Sequence, residues 1–460
     1  MHEKCAVFGV YAPSLESAEA ARLVHTGLWT LQHRGQESTG ISVSDGATIR
    51  THKGQGLVAH VYDEASLGRL VGRIAIGHNR YSTSGGNGLR HSQPVVDDKM
   101  LLALAHNGNL PSVAALSRSL TDAGVDITGA NDSELMHAAL GREMARGVSL
   151  EDAVRMCFPL FTGAFSLALL TPRALAAVRD VRGIRPLSLG RIGDGYVVSS
   201  ETCAIDAVGG TFLRDVRPGE LIVMDENGMR SVQLEPGKEQ LDIFEFVYFA
   251  RPDSMLLGRR VNEVRRQFGI RLARECPVDA DVVIPVPDSG VPAAVGYAGE
   301  TGIPFDIGLV KNRYIHRTFI QPAQRLREVG VQLKLNPIAE VLRGRRVAVV
   351  DDSLVRGTTA RQIVAMLRHA GARAVHYLVS SPPVRYPDIY GIDLPSPADL
   401  VAATKSVDEI RQSIGAESLT YLSYDGMIAA TGLREDHFST ACFNGVYPLE
   451  NLDRSVLTDV

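Results

Sequence analysis

Residues 347–359 read VAVVDDSLVRGTT. The apolar run VAVV ends in two acids, crosses a loop of small residues and enters ARQIVAMLRHAG (360–371), whose spacing predicts a helix. A buried strand, a short loop and a helix form the repeating unit of a parallel sheet, and ligands of such sheets bind at the carboxyl ends of the strands. Loop N–H groups backed by a helix N-terminus make an anion cradle. Ser353, Gly357, Thr358 and Thr359 keep that cradle small and add hydroxyl donors. Asp351 and Asp352 have the wrong charge for a phosphate. They suit sugar hydroxyls, or a Mg²⁺ held partly by substrate oxygens. A bare pair of acids after a strand is commonly a solvated turn; the full thirteen-residue pattern is a ligand cradle.

Working outward, VVIPVPDSGVPAA (282–294) repeats the strand, small loop and helix, and ARAVHYLVSSPPV (372–384) supplies a third strand. Apolar strands alternating with helices predict a parallel sheet covered on both faces. Between the first two lies GLVKNRYIHRTFIQPAQRLRE (308–328), rich in cations and aromatics and ill-suited to a core. It is either a solvated loop or a mobile cover over a polyanion, with Lys311, Arg313 and Arg317 near phosphates.

These stretches resemble the type I phosphoribosyltransferases, which bind phosphoribosyl diphosphate (PRPP). The resemblance implies that Asp351 and Asp352 meet the ribose hydroxyls and metal, and that Ser353, Arg356, Gly357, Thr358 and Thr359 hold the 5-phosphate side of PRPP. It places Asp288, Ser289 and Gly290 at the pyrophosphate, with Ser289 joining the two acids around one Mg²⁺.

The first half of the chain follows a different pattern. CAVFGVYA, ATIRTHKG, RIAIGHNRYS, MLLALAHNGN, AFSLALLT, ALAAVRD, GYVVSSE and ELIVMDE read as short strands between Gly- and Asn-rich turns. SAEAARLVHTGLWTLQHRG (17–35) and NDSELMHAALGREMARG (131–147) read as helices, the second capped by Asn131 or Asp132 with Glu134 in its first turn. Many strands with a few helices suggest two sheets packed between helices. GMRSVQLEPGKEQL (228–241) reads as a last hairpin and a linker.

Composition narrows the function classes. The chain has 460 residues, room for at least two cores, with 45% hydrophobic and 22% charged residues and a net charge of −4. That balance excludes a largely disordered chain and gives no electrostatic case for nucleic-acid binding. No stretch approaches the ~18 apolar residues of a membrane span. Five scattered cysteines without a C-x-x-C pair argue against a disulfide framework and suit the cytoplasm.

LQHRGQESTG (31–40), IGHNRYSTSG (76–85), AHNGNL (105–110) and NDSEL (131–135) follow CAVFG in order. Together they resemble the glutaminase domain of the N-terminal-nucleophile amidotransferases. Joined to a PRPP domain, and with ARPDS (250–254) and YGID (390–393), the chain resembles the amidophosphoribosyltransferase family over residues 5 to 450. The implied fold is an α+β N-terminal-nucleophile glutaminase domain, an αββα sandwich, over 5–235. An α/β phosphoribosyltransferase domain with a parallel sheet would follow over 245–460. The implied reaction converts glutamine, PRPP and water to 5-phosphoribosylamine, glutamate and pyrophosphate, the committed step of purine synthesis.

Hydrolysing glutamine needs a thiolate, a base and an oxyanion site. Cys5, once amino-terminal, supplies the thiol and, through its α-amine with a pKa near 8, the base. An amide nitrogen is not a base, so residues 1–4 are expected to be a leader whose removal exposes Cys5. The resemblance implies that Asn107 and Gly108 hold the oxyanion, that Arg80 pairs with the substrate α-carboxylate and that Asp132 takes its α-ammonium. It further implies homo-oligomers (dimer or tetramer) and feedback inhibition by purine nucleotides. The histidines His25, His33, His78, His91 and His106 lack metal-ligand spacing.

Many members of this family carry a 4Fe–4S cluster on four cysteines. The corresponding places here hold Asp242, Asp388, Ser439 and Cys442. With one thiol of four, no cluster is expected.

Overall fold

In a computed structural model, residues 4–16, 19–81, 89–97, 101–312, 335–391 and 397–449 are described. The first half contributes strands β1 (Lys4–Tyr11), β2 (Ser38–Ser44), β3 (Ile49–Gln55), β4 (Ile74–Tyr81), β5 (Val95–Val96), β6 (Ala103–Ser112) and β7 (Thr162–Leu170). It continues with β8 (Leu175–Arg179), β9 (Ser188–Ile192), β10 (Gly195–Ser199), β11 (Thr211–Asp215), β12 (Glu220–Asp225) and β13 (Gly228–Gln233). They form two antiparallel sheets, ordered β11-β9-β10-β1-β4-β2-β3 and β13-β12-β8-β7-β6-β5.

The period-2 alternation of side chains assigns the layers. Val7 and Tyr11 of β1, Ile74 and Ile76 of β4, and Ala103 and Ala105 of β6 fill the space between the sheets. The alternate residues Ala6, Phe8 and Val10 of β1 pack outward on helix α1 (Glu19–Thr30). Leu102 and Leu104 pack outward toward helix α2 (Asp132–Ala145). The result is the expected αββα sandwich.

The expected helix over 17–35 is shorter in the structure. α1 ends at Thr30, and Gln32–Arg34 forms a separate 3-10 turn. Tertiary contacts override the helical pattern there. Arg34 is buried between Glu201 and Glu245. A Cβ on Gly35 would lie 2.6 Å from the backbone carbon of Asn79, so the chain must leave the helix to pass close over β4.

The second half holds a four-stranded parallel sheet ordered β17-β20-β21-β22, formed by Val282–Pro285, Arg346–Asp351, Ala374–Val379 and Ser418–Tyr421. Alternation again decides the faces. Val283, Ala348, Val350 and Leu378 pack with helices α3 (Val261–Glu275) and α4 (Val291–Thr301). Val282, Ile284, Val347, Val349 and Tyr377 pack with α5 (Thr358–His369) and α6 (Val407–Ile414). The intervening strands are β15 (Met255–Leu256) with β16 (Arg259–Arg260), and β18 (Leu309–Lys311) with β19 (Leu335–Pro337), each an antiparallel pair.

The segment after β13 ties the halves together. β14 (Leu241–Asp242) pairs in parallel with β23 (Phe438–Ser439) near the other end of the sequence. Arg34 donates to Glu245 through two nitrogens and pairs with Glu201, while Arg185 Nη2 lies 2.8 Å from Glu245 Oε1. Glu201 also accepts from Ser254 Oγ (2.6 Å) and the Arg251 N–H (2.8 Å). All four charged side chains are buried, and their opposite charges are matched one to one.

Candidate active sites

The first site lies where the apolar layer between the sheets gives way to polar residues. Cys5 shares the inward face of β1 with Val7, and Arg80 shares the inward face of β4 with Ile74 and Ile76. Cys5 and Arg80 are direct partners across β1 and β4. On the facing sheet, Asn107 continues the inward series Ala103 and Ala105 along β6. Cys5 and Asn107 are both buried.

Gly108 is constrained by its backbone. Its φ is +154°, and a Cβ there would sit 1.9 Å from Ala164 O on β7. Only glycine lets the two strands approach this closely.

Asp132 opens α2, but Asn131 is the residue that caps it, with its side chain accepting from Glu134 N at 2.9 Å. Asp132 is thereby released for another role. Its carboxylate accepts from Ser133 N (2.7 Å) and from Leu110 N (3.1 Å), two residues past Gly108. Asp132 is thus tied to β6, the strand of Asn107 and Gly108. His106 backs the same place, with Nδ1 3.0 Å from Ser133 Oγ and 3.7 Å from Asp132 Oδ2. Burial holds His106 below the ordinary histidine range, and pushes His78, whose Nε2 meets His106 O at 3.0 Å, down to about 3. Both imidazoles are therefore neutral packing and hydrogen-bonding groups at neutral pH.

Ser200 escaped the sequence reading. It follows β10, and its Oγ accepts from Val7 N at 2.9 Å and lies 3.4 Å from Asn107 Nδ2. It links β1, which carries Cys5, to the Asn107 side chain. GYVVSSE offered only a strand pattern, and no local signal marks which serine faces inward.

The second site is the carboxyl end of the parallel sheet. β20 delivers Asp351 and Asp352 side by side, both nearly buried. Tyr377 OH on β21 donates to Asp351 Oδ2 at 2.5 Å. Asp352 accepts from Ser289 Oγ and, at 2.6 Å, from Ser353 Oγ. The loop that follows β17 and the loop that follows β20 therefore meet at one carboxylate. Burial raises both acids, and repulsion from Asp352 adds to the rise of Asp351, to about 8. Arg265 on α3 opposes this for Asp352; its guanidinium is buried and anchored to Phe246 O (2.7 Å) and Ala250 O (2.8 Å). Tyr377 and Arg265 were invisible in sequence, because strand and helix patterns do not reveal what lies beside an acid from another element.

Gly357 adopts φ +76° and precedes α5, so Thr358 and Thr359 stand exposed at the helix N-terminus. Gly290 precedes α4 with ordinary right-handed backbone, φ −73°. Lys311 Nζ reaches Asp288 Oδ2 at 2.9 Å, both being exposed. Arg356 is exposed and pairs with Asp399 at 3.6 Å. Arg313 and Arg317 lie outside the described residues.

Residues 78–207 match the glutamine amidotransferase domain family. The amidophosphoribosyltransferase of Mycobacterium tuberculosis is 49% identical over 97% of this chain and 87% of its own length. The chain belongs to the amidophosphoribosyltransferase family. That of Bacillus subtilis is 43% identical over 100% of this chain and 97% of the relative. A solved allosteric regulatory enzyme of purine biosynthesis matches with a TM-score of 0.92 and 44% identity, over 99% of this chain and 98% of the other. As an amidophosphoribosyltransferase, the chain is a glutamine-dependent glycosyltransferase that converts PRPP to 5-phosphoribosylamine, the first committed step of purine biosynthesis.

Asp242, Asp388, Ser439 and Cys442 do come together. Asp242 and Ser439 are register partners of β14 and β23. The carboxylates of Asp242 and Asp388 reinforce burial in raising the Cys442 thiol. Burial, reinforced by Asp388, raises Asp242 in turn. One protonated thiol beside two carboxyls and a hydroxyl does not fit a centre that needs four thiolates.

Among the described residues no helix is long and apolar enough to cross a membrane, and no group of three or more His, Cys, Asp or Glu could hold a metal by itself. Asp351, Asp352 and the Ser289 hydroxyl do fit a shared Mg²⁺. They offer hard oxygen donors, and a bound cation would relieve the repulsion between the two carboxyls. Magnesium is commonly held by one or two carboxylates with substrate oxygens completing the shell.

Proposed function

We propose that Cys5 is the nucleophile of the glutaminase half-reaction and that Asp351 and Asp352 organise the PRPP half-reaction. The observation that carries this is the convergence of Cys5, Arg80 and Asn107 from three strands at one end of the sandwich. The Cys5 thiol adds to the side-chain carbonyl carbon of glutamine. Asn107 Nδ2 and the Gly108 N–H stabilise the oxyanion, Arg80 forks onto the α-carboxylate, and Asp132 takes the α-ammonium. The Cys5 α-amine accepts the thiol proton and returns it to the departing ammonia. Water then hydrolyses the glutamyl thioester. This chemistry needs a free amine, so the bond before Cys5 must be cleaved.

At the second site, the ribose hydroxyls of PRPP meet Asp351 and Asp352. The loop Ser353–Thr359, with Arg356, Gly357 and Thr358, cradles the 5-phosphate. Asp288, Ser289, Gly290 and Lys311 face the pyrophosphate. Mg²⁺ at Ser289, Asp351 and Asp352 would supply charge neutralisation to the leaving pyrophosphate. Ammonia attacks C1 of the ribose and pyrophosphate departs.

The domain division at 235–245, a cytoplasmic location and a homo-oligomeric state complete the assignment. A solved Bacillus subtilis relative is a complex with ADP and GMP; purine nucleotides are the inhibitors proposed here. The chain works without an iron–sulfur cluster, and iron analysis finding about four iron atoms per chain would overturn that.

The assignment is tested by glutamine hydrolysis in purified protein. PRPP should raise the rate and Cys5→Ala should abolish it. No stimulation, together with an active Cys5→Ala variant, refutes it. Intact mass of the active enzyme should begin at Cys5.

A further inference from the structure

AHNGNL (105–110) contains a residue that the two half-reactions leave without a role, Asn109. It immediately follows the oxyanion pair on β6. Its side chain reaches across the molecule, with Nδ2 donating to Ile389 O at 2.7 Å. We propose that Asn109 is a positioning residue, fixing Gly108 for glutamine hydrolysis by docking the oxyanion strand onto segment 387–390 of the PRPP-binding half. This rests on the assignment of Asn107 and Gly108 to the oxyanion.

On the near side the coupling is stiff. Asn109 pairs with Ala164 across β6 and β7, and the regular register is lost beyond it, before Ser112. A Cβ on Gly163 would lie 2.5 Å from Asn109 O, and one on Gly108 would lie 1.9 Å from Ala164 O. Backbones this close cannot slide independently, so a shift of the Asn109 peptide moves the Gly108 N–H with it.

On the far side the segment is equally fixed. Ile389 and Tyr390 are buried against Ala164 and Ile184 in one apolar cluster. Asp388 Oδ1 accepts from Tyr390 N (2.8 Å), Tyr447 OH donates to Pro387 O (2.8 Å), and Leu449 N donates to Tyr390 OH (3.3 Å). The segment continues from β21, which itself touches the PRPP acids. Ser380 N donates to Asp351 O at 2.8 Å, and Tyr377 OH bonds the Asp351 carboxylate. A continuous set of packed elements therefore joins Asp351 to Gly108, and the Asn109–Ile389 hydrogen bond is a polar side-chain step between the halves along this route. Substrate bound at Asp351 and Asp352 restrains β21, the segment and, through Asn109, the oxyanion donor.

The test compares Asn109→Asp and Asn109→Ala with the unaltered enzyme in two assays. One is glutamine hydrolysis with and without PRPP; the other is phosphoribosylamine formation from PRPP and added ammonia. Asn109→Asp keeps the shape but sets a carboxylate against a carbonyl; Asn109→Ala removes the contact. The expected result is a loss of at least tenfold in PRPP-stimulated glutaminase kcat, with KM for glutamine within threefold and ammonia-driven synthesis within twofold. Wild-type stimulation by PRPP in both variants overturns the proposal. So does an equal fall in both assays, which would mark Asn109 as merely structural. An Asn107→Ala control separates the two ideas. If it keeps its glutaminase activity, the oxyanion assignment itself fails. If it is inactive while the Asn109 variants respond normally, only the positioning role fails.

Discussion

Gly108→Ala tests the geometry of the first site most sharply. The added Cβ would stand 1.9 Å from Ala164 O, 2.7 Å from its carbonyl carbon and 2.8 Å from His106 Nε2. Opening the first of these to the 3.0 Å below which real contacts essentially never fall requires a movement of 1.1 Å or more. The obstacle is strand backbone, so no side chain can swing aside. The φ of +154° adds strain of about 1–3 kcal/mol for a residue with a side chain. β6 must therefore separate from β7, and the N–H of residue 108 moves by a distance that decides catalysis. A misplacement of about 1 Å costs on the order of 100-fold, and losing one oxyanion donor costs roughly 100- to 1,000-fold in kcat. The expected outcome is a fall of about that size in glutamine-hydrolysis kcat, measured at saturating glutamine with PRPP present. Phosphoribosylamine synthesis from added ammonia, run in parallel, should remain within twofold and shows that the second half is folded. A Gly108→Ala enzyme that hydrolyses glutamine within threefold of the unaltered rate would refute the assignment of this N–H to the oxyanion.

Three further outcomes follow from the charged groups. Arg34→Met takes the buried arginine from Glu201 and leaves Glu245 with Arg185 alone; removing one partner of such a buried set costs about 3–5 kcal/mol, to be read as a lower urea-denaturation midpoint. Asp352→Asn weakens the acceptor for Ser289 and Ser353 and the Mg²⁺ ligand set; PRPP binding in Mg²⁺, measured calorimetrically, should weaken by roughly 10- to 100-fold, the worth of a hydrogen bond to a charged group. Hydrogen bonds from Arg214, Ser231 and the Arg217 N–H outweigh burial and lower Glu220 from 4.5 to about 2. A depressed carboxyl stabilises the fold above its unfolded pKa and loses that contribution as pH falls through the folded one. Stability should therefore decline between pH 4.5 and about 2, and Glu220→Gln should flatten that part of the curve; an unchanged acid-denaturation profile would contradict the pairing.

Local chemistry made much of this protein legible. The strand ends at Asp351 and Ser289 could be read because a parallel strand, a small-residue loop and a helix are contiguous in the chain. β1 could be read as a short continuous apolar run, because both its faces are buried, and α2 because its period-3.6 pattern survives where one face is buried. The helical pattern of 17–35 runs past Thr30 because Leu31 keeps the i+3 spacing from Leu28. What ends α1 is the burial of Arg34 between two distant glutamates and the close passage of Gly35 over β4.

The sequence by itself determined the two-sheet and parallel-sheet architectures, the nucleophile candidate Cys5, the paired acids and the cradle that follows them. Tertiary structure decided what stands beside them. It set Ser200 against Asn107, freed Asp132 from capping duty, placed Tyr377 and Arg265 around the acids, and joined Asn109 to Ile389. The contacts of Ser200, Tyr377, Arg265 and Asn109 link residues from 26 to 280 positions apart. No local pattern encodes them, because hydrogen-bond partners across elements are selected by packing and register, not by neighbours in the chain.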